Sequence, residues 1–374
     1  MINDHQNVPS GIKTDKAPKL LVMAGGTGGH IFPGIAVAQA LEQEGWQIHW
    51  LGTSKRMEAT LVPQYGYNIS FINMAGLRNK GWKELIKIPF KLMQSLMQSI
   101  KVIRGINPDV VLGMGGYASA PGGIAAWLLG KPLVLHEQNA VAGMSNRYLA
   151  RVASTVLSAF PNAFKASLKH EVVGNPLRAE ILAITPSMPE QPTSTKKVLV
   201  VGGSLGAKVL NDTIPQAMKQ IQVQNIDVWH QTGKGNETAV KEKYQEFGLP
   251  DNKIKVSEFI DDMAKAYKWA DVVICRSGAL TVSELAMAGK PAIFIPLPHA
   301  VDDHQTKNAM YLVSRGAAKL INQKDLNGTT MAQMLNSLFI SDAVLRSMSK
   351  AAIDAAHADA TVSVALACKQ WVTE

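Results

Sequence analysis

The chain has 374 residues, of which 47% are hydrophobic and 18% are charged. That length predicts two domains, and the composition excludes a disordered or fibrous protein. Two cysteines exclude a disulfide framework and indicate a reducing compartment, whereas the formal net charge of +9 suggests a nucleic-acid or membrane-surface partner.

The first predicted strand and helix enclose a glycine loop. Residues 1–18 are polar and are predicted to form a loose tail that is not a signal peptide. An apolar run from Lys19 then leads through Gly25–Gly29 into a helical pattern. Such a loop exposes unpaired N–H groups at the positive end of the helix dipole, which suits phosphate. His30 closes the loop, where the dipole favours a neutral imidazole and hence a general base, with a capping or packing role as the alternative.

Most of the net charge lies in residues 78–104, which contain seven basic residues and one acid. Apolar residues at three- and four-residue steps, Leu92 and Leu96 among them, predict a helix after a short loop. Its basic and aromatic side chains are typical of a membrane-surface helix, and a core-facing helix with a solvated basic face is the alternative. The predicted membrane patch comprises Lys80, Trp82, Lys83, Lys87, Phe90 and Lys91. Nucleic acid is not expected, because no recognition motif accompanies the charge.

Residues 110–130 carry no charge and have the length of a membrane span. Six glycines and Pro121 interrupt any helix there, so the pattern predicts a buried strand, a glycine loop over 115–123 and a helix start. We therefore expect no transmembrane helix. The polar residues 136–139 follow the next predicted strand, and four adjacent polar side chains there are expected to line a cleft.

The second half of the chain repeats the order of the first. The segment from Lys197 contains a strand, a glycine loop at 202–206, a helix and a strand, as does the segment from Lys19. A second repeat of strand, glycine loop and helix relates the segments that begin at Asp109 and Asp271. Short apolar runs that alternate with helical patterns indicate parallel sheets covered on both faces. We therefore predict two doubly wound α/β domains, which meet near residues 174–176 and face each other across one cleft.

The sequences of the glycine loops restrict which phosphate-containing ligands the protein is expected to bind. The P-loop and Gly-x-Gly-x-x-Gly patterns are absent, but Lys55 and Arg56 after the second strand keep an NADP-dependent reductase as an alternative. No Asp-x-Asp occurs, so neither a metal-clamped diphosphate nor a metal cofactor is expected. Glu284 follows a glycine loop at 276–279 and suits a ribose diol, or serves only as an acid near a helix N-terminus. Residues 302–305 suit sugar hydroxyls at least as well as a metal.

Over roughly residues 19–374, the chain resembles the MurG-type family of peptidoglycan GlcNAc transferases. The resemblance rests on a set of segments that occur in the family's order. These segments are GGTGGHIFPGIAVA, LGMGGYASAPGG, HEQNAVAGMSN, GNPLR, GGSLGAKVLN, EFIDDMA, CRSGALTVSELAMAGKPAIFIP and DDHQTKNA. Leu205 and Ala120 replace the Gln and Gly that the family often has, which affects one polar contact to the nucleotide and the shape of the acceptor loop.

The resemblance implies the GT-B glycosyltransferase fold and inverting transfer of GlcNAc. The donor would be UDP-GlcNAc, and the acceptor would be the C4 hydroxyl of MurNAc-pentapeptide on undecaprenyl diphosphate (lipid I), giving lipid II for peptidoglycan. Residues 19–174 plus 356–374 would form the acceptor and membrane-facing domain, and residues 175–355 the UDP-GlcNAc domain. The protein would be peripheral on the cytoplasmic face of the bacterial inner membrane. Its partners would be an anionic membrane surface and other wall-synthesis and division proteins.

The resemblance also implies roles for individual residues. His30 is the favoured general base, with Tyr117 and Glu137 as further catalytic residues. Ile260 would hold uracil through its backbone, and Glu284 would hold the ribose. The implied UDP-GlcNAc residues are Thr27, Gly28, Gly29, Asn139, Arg178, Ser204, Ile260, Ala279, Leu280, Thr281, Glu284, His304 and Gln305. The implied acceptor-diphosphate residues are Gly25, Gly26, Gly115, Gly116, Gly122 and Gly123.

Several other functions remain as alternatives to this one. A lipid glycosyltransferase or a UDP-GlcNAc 2-epimerase would share the fold, and the epimerase would not need an apolar basic patch. A lipid-carrier-binding protein without catalytic activity would leave UDP unbound.

Overall fold

A computed structural model describes residues 17–74, 82–186, 195–203, 206–223, 225–298 and 300–372, without the side chains of residues 82–87 and 301. Most of the predicted tail lies outside the described residues, as do Lys80, Ser204, Leu205 and the side chains of Trp82, Lys83 and Lys87. The described elements form two α/β lobes, each built on one sheet whose described strand pairs are all parallel. The predicted fold class is confirmed.

The first lobe contains a seven-stranded sheet with the order β3-β2-β1-β4-β5-β6-β7. Its strands are β1 (Lys19–Ala24), β2 (Gln47–Gly52), β3 (Asn68–Phe71), β4 (Val110–Gly115), β5 (Leu133–Glu137), β6 (Thr155–Ser158) and β7 (Glu171–Val172). Its helices are α1 (Gly28–Gln43), α2 (Glu58–Gln64), α3 (Trp82–Ile106), α4 (Ser119–Leu128) and α5 (Met144–Leu149). The order of strand, glycine loop and helix predicted over residues 110–130 is found as β4, a loop and α4, but the loop ends before residue 119 and not at 123, because α4 begins at Ser119.

The second lobe contains a six-stranded sheet with the corresponding order β10-β9-β8-β11-β12-β13. Its strands are β8 (Lys196–Val201), β9 (Ile226–Gln231), β10 (Ile254–Ser257), β11 (Val272–Cys275), β12 (Ala292–Phe294) and β13 (Ala318–Leu320). Its helices are α6 (Ala179–Leu182), α7 (Lys208–Gln220), α8 (Glu237–Glu246), α9 (Met263–Trp269), α10 (Ala279–Met287), α11 (His304–Val313), α12 (Gly328–Phe339) and α13 (Asp342–Asp354). Short 3₁₀ helices cover Asp251–Lys253, Val301–Asp303 and Gln323–Asp325.

Both faces of each sheet are covered, which explains the unbroken apolar runs. In β1, Leu20 and Val22 join a buried cluster with α1, whereas Leu21 and Met23 join a cluster on the opposite face. Side chains alternate between the faces of a strand, so a strand buried on both sides must be apolar at every residue.

The last helix, α14 (Ala360–Lys369), returns to the first lobe. Val364, Ala365 and Cys368 are buried in the same cluster as Leu20 of β1. On this packing we retain the predicted limits of the two domains as a proposal.

Helix α3 is packed on the first lobe over its C-terminal part. Ser95, Ser99 and Ile103 are fully buried, and the two hydroxyls donate to the carbonyls of the residues four earlier. Leu92, one of the apolar residues whose spacing predicts this helix, is 37% exposed, because the apolar positions continue beyond the packed part of the helix. In the described part of the chain, no helix combines the length and the apolar character that crossing a membrane requires.

Candidate active site

The first glycine loop is held by a buried glutamate that sequence reasoning did not identify. One carboxylate oxygen of Glu58 accepts the N–H of Gly26 at 2.9 Å, and the other accepts both the N–H and the hydroxyl of Thr53. A Cβ on Gly25 would lie 2.6 Å from that second oxygen, so the close approach requires glycine. Thr27 then caps α1, with Gly28 and Gly29 in its first turn.

The second glycine loop lies against the first. Gly115 and Gly116 have φ values of 111° and 93°, a region that favours glycine. A Cβ on Gly116 would lie 2.4 Å from the carbonyl oxygen of Gly25, and one on Gly115 would lie 2.9 Å from the ring of His30. The structure therefore brings together four predicted acceptor glycines and the predicted base.

Gly122 and Gly123, which are also predicted to bind the acceptor diphosphate, lie outside this loop, and that role stays a prediction. They lie inside α4, and the N–H of Gly122 donates to the carbonyl of Ala118 within the helix. A Cβ on Gly122 would lie 2.3 Å from the sulfur of Met23, and one on Gly123 would lie 2.7 Å from Leu149. Their missing side chains let α4 pack closely on its neighbours.

Tyr117 lies at the rim of the two loops. Its ring is 39% exposed, and the guanidinium carbon of Arg56 lies 5.3 Å from the ring centroid. Arg56 follows β2 and is exposed. This part of the sequence suggested an NADP 2′-phosphate site, but the structure places the cation beside the predicted acceptor loops.

The carboxylate of Glu137, which is predicted as a further catalytic residue, is bonded to the loop after β5. This buried carboxylate accepts the N–H groups of Asn139 and Gly143 at 2.9 and 3.0 Å, and the side-chain amide of Asn146 at 3.0 Å. A carboxylate so fully hydrogen-bonded is committed to holding the loop after β5. Glu137 therefore positions its neighbours.

His30 has one ring nitrogen in a hydrogen bond and the other available to accept a proton. Its Nδ1 lies 2.7 Å from Oε1 of Gln138, which is itself buried. Within the described part of the chain, no hydrogen bond is made to Nε2 of His30. The imidazole is therefore oriented by one nitrogen and offers the other.

Two predicted nucleotide ligands of the second lobe are paired with each other. Glu284 of α10 accepts from the hydroxyl of Tyr267 at 2.9 Å and from Nη2 of Arg178 at 3.3 Å. Burial raises the pKa of the Glu284 carboxyl, and Arg178 and Tyr267 act in the opposite direction. The guanidinium of Arg178 also lies 5.3 Å from the ring centroid of Phe32 in α1, so this pair sits between the lobes.

The N-terminus of α10 offers an anion site beside that pair. Gly278 caps the helix, and Ala279, Leu280 and Thr281 form its first turn, whose N–H groups have no partner within a helix. The hydroxyl of Ser277 just before it is fully buried without a hydrogen-bond partner among the described residues.

The other residues predicted to bind UDP-GlcNAc follow strands of the second sheet at the same edge. The glycine loop after β8 is fixed there by Gln231, whose side chain bonds both the N–H and the carbonyl of Gly203 at 3.0 Å. Ile260 follows β10, and His304 begins α11. Oε1 of Gln305 accepts the N–H of Leu297, which leaves that atom committed to the loop after β12.

Two asparagines that sequence reasoning did not assign join the lobes. The side chain of Asn308, in α11, accepts the N–H of Ala140 at 2.7 Å and donates to Oδ1 of Asn139 at 3.3 Å. Asn175 donates to the carbonyl of Gln138 at 3.1 Å and to the hydroxyl of Ser283 at 3.0 Å. The loop after β5 is thus fixed against α10 and α11. Both residues lie in the quoted segments, but nothing in a linear pattern indicates these contacts.

Metal ligands do not cluster at this site. Among the described residues, no group of three or more His, Cys, Asp or Glu side chains could hold a metal ion. Asp302 instead pairs with Arg147 of α5 at 3.5 Å. Helix N-termini and Arg178 are present at this site and suit the charge of a diphosphate.

Two family descriptions match the chain. The glycosyltransferase family 28 N-terminal domain matches residues 20–158, and the glycosyltransferase family 28 C-terminal domain matches residues 197–364. A protein of Colwellia psychrerythraea is 56% identical over 95% of this chain and 93% of its own length, and one of Aeromonas hydrophila is 54% identical over 95% and 97%. Both are described as UDP-N-acetylglucosamine--N-acetylmuramyl-(pentapeptide) pyrophosphoryl-undecaprenol N-acetylglucosamine transferase.

Solved structures extend the comparison. The crystal structure of Acinetobacter baumannii MurG superposes with a TM-score of 0.83 at 40% identity and covers 94% of this chain and 99% of its own. A putative UDP-N-acetylglucosamine 2-epimerase from Listeria monocytogenes superposes with a TM-score of 0.67 at 17% identity, covering 95% and 96%. At that identity the second likeness shows a common fold alone.

Proposed function

Because the chain belongs to glycosyltransferase family 28, we propose that it transfers GlcNAc from UDP-GlcNAc to the C4 hydroxyl of lipid I, with inversion, to form lipid II for peptidoglycan synthesis. The observation that carries this proposal is the junction of the lobes. There, His30 of the acceptor side is linked through Gln138 and Asn175 to Ser283, which precedes Glu284 of the nucleotide pair Arg178–Glu284. The NADP-dependent reductase is not retained, because the family acts on glycosyl groups.

The acceptor side of the proposed reaction lies in the first lobe. Gly25, Gly26, Gly115 and Gly116 would receive the lipid-linked diphosphate, with the exposed cation of Arg56 nearby. Nε2 of His30 would take the proton of the attacking C4 hydroxyl as the bond to the anomeric carbon forms. Attack from the face opposite the departing UDP gives inversion.

The donor side lies in the second lobe. The first turn of α10 and Arg178 would stabilise the negative charge that develops on the departing UDP. Glu284 would bind the ribose hydroxyls, and its present bond to Arg178 would then be replaced in part by contacts to the nucleotide. We assign the charge of the diphosphate to backbone N–H groups and Arg178, with no role for a metal ion.

We further propose that α3 and α4 bring the first lobe to an anionic membrane. Phe90 is 77% exposed and Trp127 is 53% exposed, and Met93, Met97 and Leu128 are also exposed. Helices α3 and α4 pack together, so these side chains would form one surface, to which the basic residues of α3 would add. Such a surface suits the cytoplasmic face of a bacterial inner membrane, where the lipid-linked acceptor would be presented.

The proposed reaction is tested by incubating the protein with UDP-GlcNAc and lipid I. Release of UDP with stoichiometric incorporation of GlcNAc into the lipid is expected, and UDP-galactose should give much slower release. UDP release without a glycosylated lipid, or the absence of turnover with lipid I, would contradict the proposal.

A further inference from the structure

A chain of hydrogen bonds runs from His30 away from the proposed active site. Nδ1 of His30 lies 2.7 Å from Oε1 of Gln138, and Nε2 of that amide lies 2.9 Å from Nδ1 of His136. Nε2 of His136 lies 2.8 Å from the carbonyl oxygen of Gly174, in the segment that crosses to the second lobe. His136 and Gln138 are both buried.

The carbonyl of Gly174, at the far end of these hydrogen bonds, determines which group donates in each of them. A backbone carbonyl can only accept, so Nε2 of His136 carries the proton. Full burial lowers the pKa of His136 to about 4, so the ring is neutral near pH 7 and its Nδ1 holds a lone pair. Gln138 must therefore donate its N–H to that lone pair.

The orientation of Gln138 then determines the state of His30. With its nitrogen toward His136, where it also donates to the His136 carbonyl at 3.0 Å, Gln138 presents its oxygen to His30. An amide oxygen accepts, so Nδ1 of His30 carries the proton. A neutral imidazole has one such proton, and its lone pair is therefore on Nε2, the nitrogen without a partner among the described residues.

We propose that Gln138 and His136 are positioning residues that hold His30 in the Nδ1-protonated tautomer, so that Nε2 is always the proton acceptor. This inference rests on the proposed role of His30 as the base. The relay begins at Gly174, beside Asn175, which bonds the carbonyl of Gln138. The tautomer of the base is thus set by the junction of the two lobes.

The tautomer is measured directly by long-range ¹H–¹⁵N NMR of the full chain with ¹⁵N-labelled histidine, with the His30 signals assigned by their loss in His30→Gln. In the wild-type protein, Nδ1 of His30 and Nε2 of His136 are expected to be the protonated nitrogens. Gln138→Met, which keeps the length of the side chain but removes its polar atoms, should shift His30 towards the Nε2-protonated form. His49, which bonds Ser70 elsewhere in the first lobe, should not change.

The turnover number of Gln138 variants provides a second test of the relay. Gln138→Met should lower kcat by about 10- to 100-fold, the cost typical of losing an outer partner of a reactive histidine, with the KM for UDP-GlcNAc nearly unchanged. Gln138→Glu keeps an acceptor facing Nδ1, so it should keep the Nδ1-protonated tautomer and recover part of kcat.

Two results would overturn the relay. One is an Nε2-protonated His30 in the wild-type protein, a result that does not depend on any change to Gln138. The other is an unchanged His30 tautomer in Gln138→Met. The role of His30 is tested separately by the turnover of His30→Gln. Turnover by this variant, together with the expected tautomer in the wild-type protein, would remove the base but leave the relay. Loss of turnover, together with an Nε2-protonated His30 in the wild-type protein, would do the reverse.

Discussion

At the scale of single residues, two buried carboxylates organise the loops that would hold the substrate. Glu58 fixes the first glycine loop through Gly26, and Glu137 fixes the loop after β5 through Gly143. A lone glutamate in a sequence does not reveal whether it faces a ligand or its own backbone. The motif located His30, but Glu58 lies 32 residues from the glycine it holds and belongs to no recognisable pattern.

The role of Glu58 predicts a stability effect. In Glu58→Gln, the amide group can no longer accept from Gly26 and Thr53 with both ends, so buried donors lose partners. We expect the free energy of unfolding to fall by about 1–3 kcal/mol in urea denaturation. Glu44→Gln, which breaks an exposed pair with Lys369, is the control and should cost less than about 1 kcal/mol. Equal stability of the two variants would mean that Glu58 does not hold the loop.

At the scale of elements, the repeated order of strand, glycine loop and helix could be predicted, because the spacing of apolar residues and the positions of glycine and proline are local properties of the sequence. Whether a glycine faces a ligand or another helix is not local. Gly115 and Gly122 both follow the same apolar run, yet the first contacts His30 and the second packs on Met23. The extent of burial along α3 has the same origin, since Ser95 is buried against Asn73 and Met74, which are more than 20 residues away in the sequence, whereas Leu92 is exposed.

The proposed membrane surface of α3 is tested by charge reversal. Each lysine near an anionic surface contributes on the order of 1 kcal/mol, so the combined change Lys83→Glu, Lys87→Glu and Lys91→Glu should weaken binding to anionic liposomes by at least about 100-fold.

The same reversals at Lys241, Lys324 and Lys350 in the second lobe are the matched control and should leave binding nearly unchanged. Retained affinity of the α3 variant would show that its basic face is only solvated.

At the scale of the whole molecule, the two repeats in the sequence correspond to two lobes, in which the first six strands of each lobe have the same order in the sheet. How the lobes meet could not be predicted, because Asn175 and Asn308 act through contacts between residues far apart in the chain. Those contacts give the lobes separate tasks at one junction: the first would activate the acceptor, and the second would bind the nucleotide.

This division of tasks is tested most directly by measuring kcat and UDP affinity together in His30→Ala and Glu284→Ala. Glu180→Ala is the control, since Glu180 pairs with the same arginine from the exposed side. We predict that His30→Ala lowers kcat by about 10²–10⁴-fold with unchanged UDP affinity. Glu284→Ala should weaken UDP binding by about tenfold or more, the equivalent of about 1.4 kcal/mol. Near-normal turnover by His30→Ala, or unchanged UDP affinity in Glu284→Ala, would contradict the account.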